Sequence, residues 1–193
     1  MEPFRNFIEQ YTTVTAADWN SISVTLTYRD FKKGELVLKY GETCRHLYFL
    51  ETGLLRYFVV DKSGNEITKY FTEAPFLFTS QRSFIKVIPS EENIECLEPC
   101  RIGLMEFSDA HRLLSLSSWS EFVRKIIQEV QHYTEQLLLE VQTTTAENRY
   151  KLMLLNSPDF IQRIPLKHLA SYLGIHPQSL SRIRKQLLAA DRS

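Results

Sequence analysis

The sequence predicts an α+β chain in three parts: a strand-rich roll of the jelly-roll type, one long amphipathic helix and a C-terminal helix-turn-helix. Three observations carry this expectation. Across residues 25–106, short apolar runs with a period near two alternate with glycine-marked turns. Across residues 108–145 there is neither glycine nor proline, and apolar side chains recur at steps of four and three. Residues 164–187, IPLKHLASYLGIHPQSLSRIRKQL, resolve into two helical periods around a single glycine.

At the N-terminus, Phe4, Phe7, Ile8 and Tyr11 repeat at helical spacing, and a second short helix is expected at 16–23, around Asp18, Trp19 and Ile22. Strands are then expected at 36–40, 47–51, 54–60, 67–71, 76–79, 94–97 and 101–106. Turns fall at Lys33-Gly34, Gly41-Glu42, Thr52-Gly53 and Lys62-Ser63-Gly64-Asn65. Regular short strands with glycine corners fit a roll or barrel. Tyr57, Tyr70, Phe71, Phe76, Phe78 and Phe84 either line a cavity in it or are core.

In the long helix, Phe122, Ile126, Val130, Tyr133, Leu137, Val141 and Thr144 form a seam, with Arg124, Lys125, Glu129, Glu135 and Glu140 off it. The seam suits a second copy of the chain. Ile127, Leu138 and Leu139 widen the apolar face enough to pack on the chain's own domain as well. Thr143-Thr144-Thr145-Ala146-Glu147 combines poor helix formers with an N-cap candidate, so the chain divides into a roll at 1–117, a helix at 118–144 and a small domain at 145–193.

In the last segment, Leu166, Leu169, Ala170 and Leu173 give the first helix its apolar stripe, and Leu180, Ile183 and Leu187 give the second. Small Ala170 permits a close crossing, Gly174 can take a positive φ, and Pro177 suits the first turn of the second helix. The exposed face then carries Gln178, Ser179, Ser181, Arg182 and Lys185, residue types that bond base edges and phosphates. Charge separates this from an ordinary surface hairpin. Residues 145–193 hold eight Lys or Arg against three acids, a balance of +5 in a chain whose formal net charge is +0. A basic end on an acidic body fits a module that binds a phosphate backbone.

Other classes find little support. The composition, 44% hydrophobic and 24% charged, is that of an ordinary globular chain. No run approaches the roughly 20 apolar residues of a membrane span, and MEPFRNFIEQ lacks a secretory signal's layout, so a cytoplasmic protein is expected. Cys44, Cys96 and Cys100 lack paired metal or redox spacing and read as small buried hydrophobes. His46, His111, His132, His168 and His176 are scattered, without HExxH, GxSxG or a P-loop. Neither an enzyme, a metal nor a cofactor is expected.

The string FKKGELVLKYGETCRHLYFLETGLLRYFVVDKSGNEI resembles the first half of the cyclic-nucleotide-binding roll of the catabolite activator protein and its Crp/Fnr relatives. Gly34, Gly41, the strand 47–50 and Gly53 carry the likeness, and a long helix and helix-turn-helix follow in the family's order. The resemblance implies a homodimer through the long helix, double-stranded palindromic DNA and RNA polymerase as partners, and a small-molecule effector of unspecified chemistry. It assigns Arg182 to a guanine edge, with Gln178 at the neighbouring reading position; His176 and Ser179 are placed for phosphates, and Lys185 and Arg184 add further phosphate contacts unless one of the two is a solvated charge. The family's β-hairpin wing after the reading helix has no room here and is expected elsewhere or not at all.

The roll departs from the members that bind cyclic AMP. No glycine lies between Asn65 and Ile102, and the place of the family's phosphate-binding arginine falls on Ser90 or Glu91, in the acidic run Ser90-Glu91-Glu92. Arg82-Ser83 resembles the family's Arg-Ser pair but lies too early and fits a turn or short helix. A degenerate sensor that does not take cyclic AMP is therefore expected. The competing expectation is a sensing or scaffolding protein whose helical hairpin binds another protein.

Overall fold

The computed structural model describes residues 1–190; Asp191, Arg192 and Ser193, counted in the charge balance above, lie outside the described residues. Two short helices open the chain. α1 (Glu2–Glu9) buries Phe4, Phe7 and Ile8, and α2 (Ala16–Ser23) buries Ile22. The Thr15 hydroxyl starts α2 by accepting the Asp18 N–H at 3.1 Å.

Eight strands follow: β1 (Leu26–Phe31), β2 (Leu36–Leu38), β3 (His46–Thr52), β4 (Leu54–Val60), β5 (Glu66–Glu73), β6 (Phe76–Phe78), β7 (Asn93–Cys96) and β8 (Cys100–Glu106). They pair into two four-stranded sheets of order β1-β8-β3-β6 and β2-β7-β4-β5. Seven of the strands lie where the sequence places them, and β1 is an addition. In LTYRDF only Leu26 and Phe31 are buried, so neither alternation nor a continuous apolar run marks it. At the β3–β4 corner Gly53 has φ +110°, and a Cβ there would lie 2.4 Å from the Cys100 sulfur, so only glycine fits.

Helix α3 (Gln81–Lys86) interrupts the strands where Arg82-Ser83 was expected to form a turn or short helix. The glycine-free stretch from 108 is not one helix. It begins as α4 (Phe107–Arg112), passes through a 3₁₀ turn at Leu113–Ser115, and only then enters the 27-residue α5 (Ser117–Thr143).

Which face α5 buries corrects the seam. Phe122 and Ile126 belong to the chain's own core, with Phe4, Phe7, Ile8, Ile22, Leu26, Phe49, Met105 and Trp119. Phe4 and Phe49 meet at 4.7 Å between centroids, Phe7 and Phe122 at 6.0 Å edge to face, and the Trp119 indole N–H donates to the Ala110 carbonyl at 3.2 Å. The first turns of the stripe are therefore unavailable to a second copy. Beyond them Ile127, Val130, Tyr133, Leu138, Leu139 and Val141 stay exposed, between 38% and 61%.

Two compact units result. One comprises Met1–Tyr57 and Phe71–His132, and the other comprises Phe58–Tyr70 together with the chain from Tyr133 onward. The second unit thus takes in the last turns of α5 and the tip of the β4–β5 hairpin as well as the small C-terminal helices. Among the described residues no helix is long and apolar enough to cross a membrane.

Candidate nucleic-acid interface

Four helices build the C-terminal end: α6 (Ala146–Asn156), α7 (Pro158–Arg163), α8 (Leu166–Leu173) and α9 (Pro177–Ala190). Thr145 is the N-cap of α6, its hydroxyl accepting the Asn148 N–H at 3.3 Å, so the break after α5 has a local cause. Tyr150, Ile161, Ile164, Leu169, Ala170, Leu173, Leu180 and Ile183 form the buried interior. Burial of each large aliphatic side chain contributes about 1.5–3 kcal/mol. Ala170, fully buried, has no side chain beyond Cβ to hold its neighbours away.

The turn between α8 and α9 is fixed by backbone chemistry. Gly174 has φ +72°, its N–H donates to the Ala170 and Ser171 carbonyls, and the Ile175 N–H donates to the Ala170 carbonyl at 3.0 Å. A Cβ on Gly174 would meet nothing within 4 Å, so the requirement for glycine is the positive φ alone. The His176 carbonyl then opens α9 by accepting the Ser179 and Leu180 N–H groups.

Two arginines face inward. The Arg149 guanidinium, 7% exposed, donates to the Leu173 carbonyl at 2.6 Å and so places a positive charge on the C-terminal end of α8. Arg184 donates its Nε–H to the Tyr150 hydroxyl at 2.9 Å, with its guanidinium carbon 5.6 Å from the ring centroid. Arg184, considered beside Lys185 as a phosphate contact, is thereby committed to packing.

The opposite face of α9 is open. Gln178, Arg182 and Lys185, spaced by four and three, are exposed in one row, and Ser181 lies half-buried at its margin. His176 is exposed at the start of the helix, and Ser179 is half-buried beside it. Among the described residues no hydrogen bond or ion pair holds the side chains of Gln178, Arg182 or Lys185. The row presents a guanidinium fork, an amide and an ammonium group without internal partners, which is what contact with base edges and phosphates requires.

A contact that periodicity does not announce lies on the other side of α8. The Ser171 hydroxyl accepts the Thr68 N–H at 2.9 Å and donates to the Glu66 carbonyl at 3.0 Å. One residue on, Tyr172 lies near Tyr133, and burial, followed by the charge and hydroxyl of Tyr133, raises the Tyr172 pKa. The partners are more than a hundred residues apart for Ser171, and sequence offers no signal for such a pairing.

In the roll, the acidic run divides. Glu91 is exposed and ion-paired with Arg82. Glu92 turns inward, where its Oε1 accepts the Ser80 hydroxyl at 2.8 Å. The Ser90 hydroxyl lies 3.2 Å from that of Ser80 and donates to the Glu92 carbonyl at 2.9 Å. Ser83 is also internal, accepting the Cys44 N–H and donating to the Ile88 carbonyl. Of the aromatics, Tyr57 and Phe78 are buried core, and Tyr70, Phe71, Phe76 and Phe84 are half-buried. The three cysteines are buried free thiols. Among the described residues no three His, Cys, Asp or Glu side chains converge as a metal site would require.

Comparison with known proteins adds the following. Residues 28–116 match the family described as the cyclic nucleotide-binding domain. A sequence comparison with curated proteins finds no match. Among solved structures, the chain is similar to FixK2 from Bradyrhizobium japonicum, with TM-score 0.72, 17% identity and 86% of each chain covered. It is similar to a chain described as a transcriptional regulator of the Crp/Fnr family from Eubacterium rectale, with TM-score 0.70, 17% identity, and 92% of this chain and 85% of that one covered. It is also similar to the global regulator CLP of Xanthomonas campestris, described as responsive to c-di-GMP, with TM-score 0.68, 14% identity, and 92% and 93% covered.

Proposed function

We propose that this chain, in which residues 28–116 match the cyclic nucleotide-binding domain and whose fold is similar to that of Crp/Fnr regulators, is a homodimeric, sequence-specific DNA-binding transcriptional regulator that does not respond to cyclic AMP. The observation that carries this reading is the single exposed row Gln178, Arg182 and Lys185 on α9, set against a face locked by Leu180, Ile183 and Arg184. Placed in the major groove, the Arg182 fork suits guanine O6 and N7, and the Gln178 amide suits adenine. His176, Ser179, Ser181 and Lys185 reach for the sugar-phosphate backbone and fix the register.

The roll, residues 1–117, is the sensor in this reading, with residues 118–144 joining two copies and residues 145–193 reading DNA. The exposed apolar stripe from Val130 to Val141 is the surface for the second copy, and two-fold symmetry then sets the reading helices about 34 Å apart. RNA polymerase is the expected further partner. Ser90-Glu91-Glu92, which puts no cationic side chain at the place the resemblance gives to the family's phosphate-binding arginine, supports the reading that cyclic AMP is not the ligand.

Selection of bound sequences from a random duplex library tests the proposal. An inverted repeat with half-sites about 10 base pairs apart between centres is expected; recovery of no enriched sequence would refute it. Thermal-shift titration with cyclic AMP tests the sensor. No shift is expected, whereas a ligand at 100 times its dissociation constant would stabilise the fold by about 2.7 kcal/mol.

A further inference from the structure

The last three residues of α8 each lie against a different element of the same unit, two of them through hydrogen bonds. Ser171 meets the β4–β5 hairpin, Tyr172 meets Tyr133 on α5, and the Leu173 carbonyl meets Arg149 on α6. Directly after them come Gly174 and the turn into α9. Because that turn is short and closed by backbone hydrogen bonds, the direction of α9 follows from the last turn of α8.

The Ser171 contact has a specific geometry. β5 is the last strand in the order of its sheet, and the Ser171 hydroxyl bonds the backbone of two of its residues. Glu66 and Thr68 are two residues apart, so their backbone groups point to one side. At the other side of this hairpin the Asp61 N–H donates to the Asn65 carbonyl at 2.9 Å, which leaves 66 and 68 directed outward. A serine hydroxyl both accepts and donates, and here it does both at once, as a neighbouring strand residue would. Alanine can do neither. Threonine keeps the hydroxyl.

We infer that Ser171 is a positioning residue for DNA reading: its clasp on the β5 backbone holds α8, and with it α9, in the orientation that presents Gln178, Arg182 and Lys185. The clasp leaves that row uncovered, so it belongs to the DNA-competent arrangement. It also makes the hairpin at Phe58–Tyr70 an integral arm of the reading unit. The inference rests on the DNA-binding function proposed above.

The test compares the full-length chain with Ser171→Ala and Ser171→Thr by amide hydrogen exchange and by binding to two duplexes, the selected sequence and a random one of equal length. In Ser171→Ala, exchange at the Thr68 amide rises roughly fivefold to tenfold, as loss of one hydrogen bond implies. Affinity for the selected duplex falls about tenfold while that for the random duplex changes less than twofold, because base contacts depend on register and phosphate contacts do not. Ser171→Thr restores both. Unchanged Thr68 exchange in Ser171→Ala would show that the clasp does not exist in solution. Equal losses on both duplexes, or threonine behaving like alanine, would reduce Ser171 to a structural role and overturn the inference. A wild-type chain that binds neither duplex would defeat the proposed function itself, while the exchange data would still report on the clasp.

Discussion

Replacing Phe122 by alanine separates the contact α5 makes with the chain's own core from the one proposed with a second copy. Phe122 is fully buried, with ring centroids 5.4 Å from Trp119, 5.6 Å from Tyr11 and 6.0 Å from Phe7. Deleting such a ring removes its transfer free energy and leaves a cavity between rigid aromatics, a cost of about 3–5 kcal/mol. With a urea slope of about 2 kcal/mol/M, the unfolding midpoint falls by about 2 M. Both tryptophans, Trp19 and Trp119, lie in the first unit, so their fluorescence reports that unit alone. Leu138, 59% exposed on the same helix, has no such packing to lose, and Leu138→Ala stays within about 0.5 kcal/mol by the same probe. Its effect appears instead as weaker self-association in sedimentation. A midpoint shift of less than about 0.5 M for Phe122→Ala, or equal shifts for the two variants, would refute this division of the helix.

Three further outcomes follow from the C-terminal unit. Arg149→Met keeps the aliphatic stem but strips the charge-assisted bond from the Leu173 carbonyl, a net loss of about 1–3 kcal/mol that exchange across residues 166–187 detects; unchanged protection there would contradict the assignment. Gly174→Ala meets no steric obstacle yet must hold φ +72°, so it costs about 1–2 kcal/mol in thermal unfolding, and a neutral result would show that the turn relaxes. Arg182→Ala costs roughly 1–3 kcal/mol on the selected duplex and relaxes preference at one base pair, whereas Lys185→Ala weakens all duplexes alike; equal losses on selected and random DNA for Arg182→Ala would remove it from base reading.

Local signals carried most of the fold. Thr145 announces the helix it caps, and Gly53 and Gly174 mark corners whose positive φ favours glycine. The strand β1 escaped because its middle residues face solvent. Periodicity located the apolar stripe of α5 but could not say what covers it, since a seam for a second copy and a face for Phe7 and Phe49 have the same period. Within the site, the row Gln178, Arg182 and Lys185 was legible because a helix converts spacing into a face. Arg149, Arg184 and Ser171 were not, because what distinguishes a packing arginine or a clasping serine from a solvated one is a partner distant in the chain, such as the Glu66 carbonyl 105 residues from Ser171.

In the proposed function, α9 and its surroundings bind DNA through phosphate neutralisation and base contact together. The most direct test is the salt dependence of binding to the selected and to a random duplex. A steep negative slope of log affinity against log salt is expected on both, close to about −0.9 for each phosphate neutralised, with the selected duplex bound more tightly at every salt concentration and the slope for Lys185→Ala shallower by about one. A flat salt dependence, or equal affinity for the two duplexes, would contradict it.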